Sequence, residues 1–267
     1  MIIDGKKIAG EIIDVLMHER ATLPADLKLG VLMGAEDAAS ASFVKIKERV
    51  AEKLGIQVVR EFLSETSTTE DAFEALGRLY KQCVGVVVQM PLPSAINTIH
   101  IIEDLPFTKD VDALDGGAYT RAPVAEAVSE IFVRSNVVVA GKRAVVVGAG
   151  KLVGTPVARL LKDLGADVKV VTKNEGSLDD LKTADIVVLG AGDPGLVKPG
   201  MLKEGVVLID AGTSEASGRI AGDADPACAE VASVFTPVPG GIGPIAVAML
   251  FKNLFILAQK HPLRSEQ

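Results

Sequence analysis

Apolar residues recur along this chain with two periods, and the alternation between them outlines the fold. Over residues 8–23 apolar and charged positions interleave at helical spacing, which predicts an amphipathic helix. Residues 27–33 (LKLGVLM) predict a strand, and residues 34–39 a loop. Ser40 then reads as a helix cap, with Phe43, Val44, Ile46, Val50 and Leu54 forming an apolar face that ends at Gly55. Residues 56–62 predict a strand, 69–83 a helix, and 84–89 (VGVVVQ) a buried strand that stops at Met90-Pro91-Leu92-Pro93. Beyond Lys109-Asp110-Val111-Asp112, residues 123–133 read as a helix, and further strands are expected near residues 144–147, 168–171, 186–189, 206–209 and 234–235. Strands alternating with helices of this length make βαβ units and a mostly parallel sheet. Residues 237–244 (PVPGGIGP) break regular structure before a last helix over 245–259.

The most informative stretch is residues 144–156, AVVVGAGKLVGTP. A β-branched run stops at glycines and turns into a helical pattern, which is a strand, a tight turn and a helix. Amides at such a helix start point outward at the positive end of the dipole and can hold an anion. The spacing is G-x-G-x-x-x-G, one residue longer than the dinucleotide fingerprint, and alone it is a weak signal. Further small-residue turns strengthen it, because Gly190-Ala191-Gly192 and Asp210-Ala211-Gly212 each follow a predicted strand. In open parallel sheets a ligand sits outside the carboxyl ends of the strands, where these turns cluster.

Composition narrows the partners. At 267 residues the chain suits one large domain or two modest ones. A net charge of −7 argues against general binding to nucleic acid or to an anionic membrane. Its three histidines lie far apart, which gives no support to a histidine-rich metal site. No apolar run reaches the ~20 residues of a bilayer span, and the charged N-terminus does not read as a signal peptide. Cys83 and Cys228 are expected to be buried free thiols of a cytoplasmic protein.

Five motifs then carry a resemblance. Residues 42–47 (SFVKIK), 86–93 (VVVQMPLP), 109–114 (KDVDAL), the glycine turn, and 237–244 (PVPGGIGP) stand in the order seen in the methylene-tetrahydrofolate dehydrogenase/cyclohydrolase family. Residues 2–12 resemble the opening of that family, and the likeness runs to about residue 258. It implies a two-domain α/β protein: a folate domain from residues 1–122 plus 245–267, and a Rossmann-like domain over 123–244. It implies hydride transfer from methylene-tetrahydrofolate to NADP, with NAD as the other choice, then cyclohydrolase conversion to formyl-tetrahydrofolate in a homodimer. The other readings are a cyclohydrolase alone, or a silent folate- or nucleotide-binding homologue.

By the same resemblance Lys47 is the catalytic lysine, Gln89 holds it in line, and Asp112 binds the pterin ring. An ammonium facing a cleft loses basicity by desolvation and can then work as an acid or base near neutral pH. Lys45 and Lys53 read as solvated helix lysines, and Asp110 as a turn or cap residue. Gly240, Gly241 and Ile242 would flank the folate and nicotinamide rings, with Phe43 stacking on the substrate. Cofactor contacts are expected from Gly148, Gly150, Lys151, Val153, Gly154, Thr172, Lys173, Ala191, Gly192 and Thr213, with Thr172 and Lys173 near a 2′-phosphate. The chain departs from the family pattern at four places: Phe43 stands for a tyrosine, Ala149-Gly150 for Arg-Ser, Ala246 for a threonine, and the P-C-T-P segment is shortened around Pro123.

Overall fold

The computed structural model describes residues 1–34, 38–114, 116–216 and 219–261, with only the backbone described for 38–43, 215–216 and 219. The chain divides into two compact units, residues 11–122 with 247–267, and residues 1–10 with 123–246.

In the first unit β1 (Lys28–Met33) lies at the centre of a parallel sheet of order β2-β1-β3, with β2 spanning Gln57–Phe62 and β3 spanning Gly85–Gln89. From β1 the chain crosses through α2 (Ala38–Lys53) to β2 on one side, and then through α3 (Thr69–Gln82) to β3 on the other. The reversal opens a crevice at the carboxyl ends of β1 and β3. Both strands are almost entirely buried, which is why they read as continuous apolar runs rather than alternating ones. Thr68 caps α3 through a reciprocal box with Asp71, and Ala72, Ala75, Leu76 and Leu79 form its buried stripe.

The second unit holds a five-stranded parallel sheet of order β10-β7-β6-β4-β5: β4 is Arg143–Val147, β5 Asp167–Val171, β6 Ile186–Leu189, β7 Val207–Asp210 and β10 Val234–Phe235. Here β4 is the strand from which the order reverses, through α6 (Gly154–Asp163) to β5 and then back to β6. The glycine turn after β4 therefore stands at the switch point. A short antiparallel hairpin, β8 (Ser214–Ala216) with β9 (Arg219–Ala221), follows β7.

The sequence reading placed residues 1–10 with the first unit, whereas they pack with the second. Ile2 bridges Phe235 in parallel, and the Ile3 amide donates to the Phe235 carbonyl at 2.9 Å, so the N-terminus extends the β10 edge. Ser40 is not a cap: α2 begins at Ala38. The Pro/Gly segment is also shorter than expected, because the last helix, α7, already begins at Ile242. Pro244 lies in its first turn, where a missing N–H costs no intrahelical bond. Beside these, α1 covers Gly5–Glu19 and α5 covers Pro123–Arg134, and a short helix, α4 (Thr98–Glu103), lies where the sequence showed nothing. Helix α7 (Ile242–Lys260) is long and apolar enough to cross a membrane by length and composition, yet 67% of its most apolar window is buried inside the protein, as in a core helix. Both cysteines are free and fully buried.

Candidate active site

Lys47 projects from the third turn of α2, and Gln89 ends β3 beside Met33 of β1. Their side chains meet directly: Lys47 Nζ donates to Gln89 Oε1 at 2.9 Å. The Gln89 amide nitrogen donates to the Met90 carbonyl at 3.1 Å, which fixes the amide orientation and aims its oxygen at the lysine. Lys45 and Lys53 on the same helix are exposed.

Asp112 arrives from a third segment. Residues 109–111 run beside β3, with the Val86 amide donating to the Lys109 carbonyl at 2.7 Å and a parallel bridge from Val86 to Asp110. The chain then turns, and the turn is built by Asp110. Its Oδ1 accepts the Asp112 amide at 3.0 Å and its Oδ2 accepts the Leu114 amide at 2.6 Å, an Asx-type turn that leaves Asp110 1% exposed. Asn253 of α7 secures the same loop, because its Nδ2 donates to the carbonyls of Val111 and Arg121, both at 2.8 Å. A single buried asparagine on a helix that is otherwise a core element gave no signal in the sequence.

The electrostatics of Lys47 and Asp112 are reciprocal. Burial lowers the Lys47 pKa, and the nearby charge of Asp112 draws it partly back up. Burial raises the Asp112 pKa, and Lys47 draws it partly back down. Each group thus has its ordinary charge disfavoured by desolvation and supported by the other's charge. Phe43 lies outside the residues whose side chains are described.

The second unit brings together the glycine turns. Gly148, at the end of β4, has φ +102°, and a Cβ there would collide with the carbonyl of Gly190 after β6. A Cβ on Gly154 would collide with the Gly148 carbonyl, so β4, the helix start and the β6 turn touch backbone to backbone. At the start of α6 the N-cap is Val153, which offers no side-chain acceptor. The Thr155 amide donates to the Gly150 carbonyl at 3.1 Å and Pro156 has no N–H, so the helix start offers an anion the Gly154 amide at most. Gly150 and Lys151 are exposed beside it, with open space around Gly150. At the end of β5 the Thr172 hydroxyl accepts the amides of Asn174 and Glu175 at 3.3 and 3.1 Å, shaping a turn that presents Lys173 to solvent.

Ala191 and Gly192 are exposed, but their amides point inward to Asp223 rather than outward. Thr213 is exposed after β7. In the Pro237–Pro244 segment Gly240 has φ +107° with open space around it. Gly241 instead donates to the Pro237 carbonyl at 2.8 Å and is buried, as is Ile242.

A doubly wound nucleotide-binding unit, joined in one chain to a parallel α/β unit with a half-buried lysine held by a glutamine in the field of an aspartate, defines the class of protein. The family model described as tetrahydrofolate dehydrogenase/cyclohydrolase, catalytic domain, matches residues 3–112, and the NAD(P)-binding domain model of the same family matches residues 122–262. The chain belongs to the tetrahydrofolate dehydrogenase/cyclohydrolase family. The bifunctional protein FolD of Halothermothrix orenii is 37% identical over 270 residues, covering 94% of this chain and 95% of that protein. A Trypanosoma brucei methylenetetrahydrofolate dehydrogenase-cyclohydrolase, solved with NADP cofactor and an inhibitor, superposes with a TM-score of 0.90 at 31% identity, over 97% of each chain. The bifunctional FolD enzyme of Campylobacter jejuni gives a TM-score of 0.90 at 29% identity, covering 97% of this chain and 99% of that one.

Proposed function

We propose that the protein oxidises the methylene bridge of methylene-tetrahydrofolate to the methenyl level with NADP+, and hydrolyses the methenyl product to formyl-tetrahydrofolate. The observation that carries this reading is the 2.9 Å contact between Lys47 Nζ and Gln89 Oε1 within the field of Asp112. When bound, NADP+ supplies the hydride acceptor, and the open glycine turn with its exposed Gly150 and Lys151 suits its pyrophosphate.

The chain's own groups supply the rest. Lys47 in its neutral form gives one N–H to Gln89 and keeps its lone pair for a proton. It takes that proton from the water that adds to the methenyl carbon and returns it to the ring nitrogen as the carbon–nitrogen bond breaks, while the proton of the new hydroxyl passes to water as the formyl carbonyl forms. Gln89 fixes the direction of that lone pair. Asp112 accepts the paired N–H groups of the pterin edge, and its charge sets how readily Lys47 releases a proton. Hydride transfer asks chiefly for orientation and needs no hydroxyl at position 43, so Phe43 in place of a tyrosine weakens the cyclohydrolase step.

Residues 11–122 with the chain from 247 onward form the folate domain in this reading, and 1–10 with 123–246 the NADP domain. Phe43, Gly240, Gly241 and Ile242 border the substrate. Gly148, Gly150, Lys151, Val153, Gly154, Thr172, Lys173, Ala191, Gly192 and Thr213 border the cofactor, with Lys173 facing the 2′-phosphate. The enzyme works as a cytoplasmic homodimer, a state that light scattering after size exclusion reads directly. The decisive test of function is methenyl-tetrahydrofolate absorbance after mixing protein, methylene-tetrahydrofolate and either NADP+ or NAD+. Product is expected with NADP+, followed by decay faster than in buffer. Folded protein that forms no product with either nucleotide would overturn the reading.

A further inference from the structure

Two aspartates are sunk into the second unit beneath the loops that follow its strands. Asp210, the last residue of β7, is 1% exposed, and Asp223, just after β9, is fully buried. Among the described residues neither is paired with a cation; each is surrounded by backbone amides instead. Asp223 Oδ2 accepts from Ala191 at 2.7 Å and from Gly192 at 3.1 Å, and its Oδ1 accepts from Asp193 at 2.8 Å. Asp210 Oδ1 accepts from Gly212 at 3.0 Å and from Asp223 at 3.3 Å, while its Oδ2 accepts from Ala224 at 2.9 Å.

The two carboxylates therefore form a relay. Asp210 holds the backbone of residues 223 and 224, and Asp223 holds the backbone of residues 191–193. The carboxyl groups pass so close to the opposing chain that a Cβ on Gly212 would collide with Asp223, and one on Gly222 with Asp210. The Thr236 hydroxyl grips Asp210 from the β10 side, accepting its amide at 2.6 Å and donating to its carbonyl at 3.2 Å. The Ser214 hydroxyl closes the circuit by donating to the Gly192 carbonyl at 2.7 Å. Turns after β6, β7 and β10 are thereby set by one buried network.

Residues 191–193 are exposed, so water would satisfy their amides if Asp223 were absent. A fully buried carboxylate is not needed to pair them. What it does is hold three successive amides in one concave shape and turn them away from the crevice. An amide already given to a carboxylate is not available to a phosphate, so the pyrophosphate is directed to the open glycine turn after β4, beside Lys151, and the β6 turn receives an uncharged part of the dinucleotide.

We propose that Asp223, anchored by Asp210, is a positioning residue for the dinucleotide: it holds residues 191–193 in the conformation that receives the nicotinamide-ribose half of NADP. This rests on the reading of the second unit as the NADP site. The test compares Asp223→Asn with Asp225→Asn, a change two residues away at an outward carboxylate paired with Lys198. Measured are the NADP+ Kd by titration, kcat and KM for NADP+, and hydrogen exchange at the amides of 191–193. Asp223→Asn should raise Kd and KM for NADP+ about tenfold, leave kcat at saturating NADP+ within about threefold, and speed exchange at 191–193. Asp225→Asn should change none of these. Asp223→Ala should raise the Kd further; if it does not fold, the asparagine variant decides. Wild-type affinity and wild-type exchange in Asp223→Asn would overturn the inference, as would a fall in kcat at unchanged Kd. Wild-type protein that binds neither nucleotide would instead overturn the reading of the site on which the inference rests.

Discussion

Both units bury carboxylates near the ends of parallel strands, and the two treat them in opposite ways. In the first unit Asp112 faces a lysine that is itself desolvated, and each group is driven from its usual charge state by burial. In the second, Asp210 and Asp223 each accept three backbone amides and shape the chain around them. Burial is common to both. What separates them is the partner: another titratable side chain gives a group that can exchange a proton, whereas fixed amides give a scaffold. Asp110, two residues from Asp112 and more deeply buried, belongs with the scaffold, since its oxygens are taken by the amides of Asp112 and Leu114.

The largest expected effect tests the proton-exchanging half. Lys47→Met keeps the stem of the side chain and removes the titrating nitrogen. Hydrolysis of methenyl-tetrahydrofolate should fall by about 10²–10⁴-fold, the usual contribution of a positioned acid–base group. A variant with undiminished turnover would move Lys47 to the scaffold side. Next comes the loop that carries Asp112. Asn253→Ala removes the buried donor to the Val111 and Arg121 carbonyls, at a cost of about 2–4 kcal/mol in urea unfolding. It should also raise KM for the folate, because Asp112 adjoins Val111. Full stability with an unchanged KM would show that Asp110 alone secures the loop.

The scaffold carboxylate has a pH signature of its own. Desolvation first, then the neighbouring charge of Asp223, pushes the Asp210 pKa up to about 6 against the opposing pull of its amide partners. Native Asp210 thus keeps its proton to higher pH than the unfolded chain does. Between about pH 4 and pH 6 the native state binds more protons, so the contribution of Asp210 to stability falls as pH rises, by up to about 3 kcal/mol, and levels off above that window. Asp210→Asn should lower stability at every pH but abolish this slope. The stability difference between wild type and variant, followed by urea unfolding from pH 4 to 7, should therefore shrink as pH rises. A constant difference would mean that Asp210 titrates as an ordinary carboxylate.

The two halves of the comparison were not equally legible in the sequence. Strands such as VGVVVQ and AVVVG announced themselves because parallel sheets bury both faces, and the glycines at 148 and 154 stood where backbones touch. Lys47, Gln89 and Asp112 came from motif resemblance; no periodicity distinguishes Lys47 from Lys45 or Lys53, and only the fold shows that one of the three is desolvated. Asn253, Asp210 and Asp223 were passed over as site residues. Apart from Gly212, two residues beyond Asp210, the partners of their side chains are backbone groups 13 to 142 residues away in sequence, and such pairings leave no local pattern. The start of α7 was misread for a related reason. Pro and Gly at 243–244 signal a break, but the first turn of a helix accepts both.

The smallest effect concerns a residue that neither unit buries. Lys173 stands exposed on the turn that Thr172 builds after β5, in water rather than in a desolvated site. An exposed lysine attracts a phosphate as a point charge, and salt screens that attraction. Lys173→Glu replaces attraction with repulsion, so KM for NADP+ should rise about tenfold, a free-energy change of about 1.4 kcal/mol, while KM for NAD+ moves little. Raising the salt concentration should narrow the gap between wild type and variant. Neither change should touch the scaffold, so unfolding of the variant should match wild type. Equal losses with both nucleotides would show that Lys173 serves the turn and not the 2′-phosphate.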